Sequence, residues 1–119
     1  MDSGTHDIYV HVDKKSKNFD ESYSRNSVTR SSLKFYREFE VYWGGFSQVQ
    51  VEMFLFKQAY TNGYDYYHII SGADLPLKNN EEIDSFFEKN KGKEFILYDE
   101  DALKGNLEIS RRAKFETKK

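Results

Sequence analysis

The segment Glu40–Tyr60, "EVYWGGFSQVQVEMFLFKQAY", constrains the fold most, because its apolar pattern changes period across a double glycine. Before the glycines it reads as a strand. After them Val49, Met53, Phe56 and Tyr60 fall at helical spacing, and Asn62-Gly63 supplies a stop. Ser47 and Gln50 stand as a capping box, with Phe46 and Val51 at staple positions, so the spacing predicts a helix beginning at Gln48. A strand feeding directly into a helix is the building step of a layered α/β domain.

The rest of the chain repeats the step. "DIYVHVD" (Asp7–Asp13) alternates Ile8, Val10 and Val12 against Tyr9 and His11 and reads as a short strand. A short helix is expected around Asp20–Arg30, then one or two strands in "LKFYREFEVYW", with Leu33, Phe35 and Val41 buried. "YDYYHIIS" (Tyr64–Ser71) reads as a strand ending in the turn "GADLP". Asn79 and Glu82 cap a further helix with Ile83, Phe86 and Phe87 on its inner face and Gly92 as its end. "EFILYDE" is another strand, and residues 101–119 form a charged tail expected to be poorly ordered. The expected architecture is α/β: a mostly parallel sheet with flanking helices, in one domain over residues 1–119.

Composition removes several functions. With 18 basic and 20 acidic residues among 119, no global field recruits nucleic acid or an anionic membrane. There is no cysteine, hence no disulfide and no thiolate metal site. No apolar run approaches the ~20 residues of a membrane span. P-loop, dinucleotide-binding and nucleophile-elbow motifs are all absent.

Ligands of parallel sheets bind beyond the carboxyl ends of the strands. Three such ends carry acids or turns: Asp13-Lys14-Lys15, "SGADLP", and "YDED". Asp13 can accept from a ribose or base edge while Lys14 and Lys15 suit a diphosphate. Equally, Asp13 caps the next segment and the lysines are solvated. Asp74 has no sequence-adjacent acid and reads as a turn residue bonding its own backbone, and Asp99, Glu100 and Asp101 read as a solvated run, so no metal site is expected. Trp43, beside the glycine bend, either packs or offers a flat face to a base or sugar.

Together "IYVHVDKKS", "VYWGGFSQVQVEM" and "YDYYHIISGADLPLKNNEEIDSFFEKNKGKEFI" resemble the core-2/I-branching β-1,6-N-acetylglucosaminyltransferase family, which includes the peptide O-xylosyltransferases. The resemblance runs from about Asp7 to Ile96. It implies a Rossmann-like A-type glycosyltransferase fold and an inverting, metal-independent transfer of N-acetylglucosamine or xylose from a UDP-sugar to a glycan or protein hydroxyl. By the resemblance Asp13, Lys14, Lys15 and Trp43 bind the donor and Asp74 lies in the active-site wall. Asp99, Glu100 and Arg112 are the nearest counterparts of the acceptor-binding residues. No cofactor beyond the UDP-sugar substrate is implied.

The family's first strand and its catalytic glutamate have no counterpart here, so the base is expected beyond Lys119 and the fold is expected to be incomplete. The competing reading is a non-catalytic nucleotide-sugar-binding module or a truncated, inactive product. The missing strand would lie between "DIYVHV" and "YYHII". Those two strands should then either close on each other or leave unpaired edges through which the chain self-associates. Relatives in eukaryotes are Golgi membrane proteins, whereas the lack of an anchor or cysteine here points to a bacterial cytoplasmic enzyme of surface-polysaccharide synthesis.

Overall fold

The computed structural model describes residues 2–95. The charged tail, the "EFIL" strand beyond Phe95, and Asp99, Glu100 and Arg112 lie outside the described residues. The order is β1 (Asp7–His11), α1 (Glu21–Asn26), β2 (Ser32–Tyr36), α2 (Phe46–Tyr60) and α3 (Asn80–Lys89). β1 and β2 are parallel, in a register that sets Asp7 opposite Ser32 and His11 opposite Tyr36. The α/β parallel architecture is therefore present, as a two-stranded sheet.

Local chemistry explains each element. β1 alternates β-branched and aromatic residues, the types that fit a pleated surface. Asp20 opens α1 by accepting from the amides of Ser22 and Tyr23. Asn79 and Glu82 form the expected capping box of α3. Gly63 (φ 66°) and Gly92 (φ 83°) take the left-handed conformation just past α2 and α3, where a side chain would be strained.

The start of α2 departs from expectation. The helix begins at Phe46, its N-cap is Gly45, and no side chain caps it. The Ser47 hydroxyl accepts from the Tyr42 amide (2.8 Å), and the Gln48 side-chain oxygen accepts from the Gly44 amide (3.0 Å). Both side chains thus reach back to bind the entering chain, so the Ser47–Gln50 box and the Phe46–Val51 staple do not form. The glycines are the reason. Gly44 (φ 67°) and a tight Tyr42–Gly45 turn bring the backbone so close that a Cβ on Gly45 would meet the Tyr42 carbonyl at 3.2 Å. The helix can then start two residues early.

The buried face of α2 also differs. Val51, Phe54, Leu55 and Ala59 turn inward, whereas Val49, Met53 and Tyr60 are exposed. The helix is apolar on two sides, so periodicity alone fits either stripe. Aromatic packing chose: Phe54 meets Tyr36 and Phe39 edge-on at 5.2 and 5.5 Å.

Residues 64–70 are the second departure. They make no ladder, and among the described residues β1 and β2 alone form the sheet. Their side chains nonetheless alternate as a strand's do: Tyr66 and His68 lie on Phe87 of α3 (4.8 and 4.4 Å), and Tyr67 lies toward Phe56 of α2. The two candidate strands have not closed on each other. A groove of about 960 Å³ separates β1 from 64–70, with α2 and α3 as its other walls. Consequently little is sealed from water: Val12 and Ala59, each 7% exposed, are the buried apolar residues among those described.

Candidate functional site

At the carboxyl end of β1 the chain turns, and the Ser16 amide bonds the Asp13 carbonyl at 2.8 Å. The Asp13 carboxylate spans two segments, accepting from the amides of Lys15 (2.9 Å) and Val41 (3.3 Å) through Oδ1. Oδ2 lies 3.7 Å from the Lys15 ammonium. These bonds, the Lys15 amide first, hold the Asp13 carboxyl below its ordinary range. One oxygen is therefore committed to the fold, and the other shares a cation with whatever approaches.

Lys15 is the centre of the cluster. Its ammonium donates to the Val41 carbonyl (2.6 Å) and stands 3.9 Å over the Tyr42 ring. The Tyr42 hydroxyl donates to Glu40 at 2.7 Å, which raises its pKa and keeps it protonated. Lys14 uses its backbone amide to bond the Phe39 carbonyl (3.0 Å), leaving its exposed side chain to solvent. Trp43 is 95% exposed, which rules out ordinary core packing for it. Neighbouring His11 accepts from the Phe39 amide (3.1 Å), and burial lowers its pKa, so it is a neutral structural imidazole.

The structure thus brings together Asp13, Lys15 and the bend before α2 that carries Trp43, and adds Tyr42; the strand expected just before the glycines is absent, since residues 37–45 join no ladder. The sequence offered only a weak signal for Tyr42, its place beside Trp43; nothing in it showed that Lys15, just past β1, would reach the segment after β2. Asp74 lies apart. Its Oδ2 accepts from the Ser71 amide (2.5 Å) and its own amide bonds the Ser71 carbonyl, closing the expected turn. It lines the groove between β1 and 64–70. Among the described residues no group of three or more potential ligands could hold a metal ion. No described helix is long and apolar enough to cross a membrane.

A parallel β1–β2 pair with helices around it, and Asp13, Lys15 and Tyr42 gathered beyond the carboxyl end of β1, makes this a small α/β domain. The family model described as "Branch: Core-2/I-Branching enzyme" matches residues 4–118, and the chain belongs to that family, a family of glycosyltransferases. No curated protein and no solved structure matches the chain.

Proposed function

We propose that this chain carries the nucleotide-sugar-binding part of an inverting, metal-independent glycosyltransferase that moves N-acetylglucosamine or xylose from a UDP-sugar to an acceptor hydroxyl. The observation that carries the reading is the Asp13–Lys15–Tyr42 cluster beside the exposed Trp43. Asp13 Oδ2 suits a ribose hydroxyl. Lys15, with Lys14 beside it, suits the diphosphate, whose charge grows as the bond to the anomeric carbon breaks. Trp43 offers a face for the uracil or the sugar. Asp74 is assigned to the active-site wall, and Asp99, Glu100 and Arg112 to the acceptor side. In the reaction the acceptor oxygen attacks the anomeric carbon, UDP leaves with the electron pair, and a general base takes the hydroxyl proton.

The chain's single tryptophan makes the test direct. Titration with UDP should change Trp43 fluorescence saturably, and chelator should leave the response intact. Lys15→Ala should weaken binding about tenfold, the scale of one lost charged hydrogen bond. A folded protein that gives no response to UDP would overturn the assignment.

A further inference from the structure

Lys15 is a cation held in place by neutral partners. Its ammonium donates to the Val41 carbonyl (2.6 Å) and sits 3.9 Å from the centre of the Tyr42 ring. The Asp13 carboxylate is close, yet its Oδ2 stays at 3.7 Å, outside hydrogen-bond range. Its Oδ1 is engaged by the amides of Lys15 and Val41. A carbonyl and a π face orient an ammonium without cancelling its charge. A direct hydrogen bond to Asp13 would neutralise that charge inside the site.

The ring itself is fixed at both ends. The Tyr42 amide donates to the Ser47 hydroxyl (2.8 Å), and the Tyr42 carbonyl accepts from the Gly45 amide (3.0 Å). At the far end the Tyr42 hydroxyl donates to Glu40 (2.7 Å). The turn that opens α2 therefore sets where the ring stands against Lys15. Tyr42 is 56% exposed, so core packing does not account for its place.

We propose that Tyr42 is a positioning residue for recognition of the donor's diphosphate, its ring face holding the Lys15 ammonium off Asp13 and available to phosphate oxygens. This role rests on the nucleotide-sugar reading of the site. Tyr42 acts through Lys15 and touches no phosphate itself. Without the ring, the ammonium closes the remaining gap to Asp13 Oδ2. The two groups that suit the diphosphate and the ribose then satisfy each other instead.

The test uses the whole chain and compares Tyr42→Phe, which keeps the ring, with Tyr42→Leu, which removes it. Without nucleotide, proton NMR of the wild-type chain should show the Lys15 ε-methylene shifted upfield of that of Lys14 by the ring current. The shift should persist in Tyr42→Phe and vanish in Tyr42→Leu. Calorimetry should find UDP bound about fivefold more weakly by Tyr42→Leu, the scale of one exposed cation–π contact, and near wild-type strength restored in Tyr42→Phe. Tyr42→Leu added to Lys15→Ala should weaken UDP binding no further, because the ring works only through the lysine. A Lys15 shift equal to that of Lys14, undiminished UDP binding by Tyr42→Leu, or losses that add in full would each overturn the proposal and leave the nucleotide-sugar reading in place. A folded wild-type chain that gives no response to UDP would overturn both.

Discussion

Two extended segments face each other across the groove and are held by different forces. β1 is bonded along its length to β2, and its N-terminal flank is tied down by polar groups. The Asp2 carboxylate accepts from the amides of Thr29, Arg30 and Ser31, and Tyr9 joins Lys34, Asn62 and Tyr64 in one network that ends on Asp7. Residues 66–70 rest on rings. Phe87 alone touches Tyr66, His68, Phe86 and Phe95. Ring packing fixes which way a side chain faces but leaves the backbone polar groups for water, so such a segment opens more easily than a laddered one. The Asp13–Lys15–Tyr42 cluster grows from the laddered side, where backbone bonds hold Asp13 and Lys15 in place.

The largest expected effect tests the laddered side. Ala59→Asp would put a carboxylate on the face of α2 that packs on β1, at a site only 7% exposed. The loss should be about 3 kcal/mol, enough to abolish cooperative unfolding in a domain with so small a core. A retained, unshifted transition would break the idea that this packing organises the fold. Phe87→Ala comes next. At a half-buried position it should cost about 2 kcal/mol, and hydrogen exchange should speed across 66–70 while β1 and β2 keep their protection. Uniform loss of protection would mean that the two sides are one cooperative unit.

Acid gives the finest resolution. Burial depresses the pKa of His11 and of His68 below 6.5, the latter also feeling His6. The unfolded chain therefore binds protons first, and stability should fall as pH drops below 6.5. A second loss should follow below about 3.8, where Asp13, Asp84 and Asp2, all held low by hydrogen bonds, take up protons. His68→Phe should remove the first acid sensitivity at 66–70 while leaving that at Phe39, the partner of His11. If 66–70 of that variant still loosens as the pH drops below 6.5, His68 is not its titrating group.

The alternation of "IYVHV", the capping box at Asn79 and the glycine stops at Gly63 and Gly92 were legible in the sequence. Each is a local signal, satisfied within a few residues. The cap of α2 was misread because its two glycines changed where the helix could begin. The inner stripe of α2 was ambiguous because both faces are apolar. Donor candidates Asp13 and Lys15 were legible as types at a strand end; their union with Tyr42 was not, since it joins the turn after β1 to the segment after β2.

By itself, then, the sequence determined β1, β2, the three helices and their order, because propensity and capping act over short distances. Tertiary structure decided which extended segment became a strand, because a ladder needs a neighbour. It also decided that Trp43 stands in solvent and that Lys15 bridges Asp13, Val41 and Tyr42, since those distances exist only once β1 and the chain after β2 lie side by side.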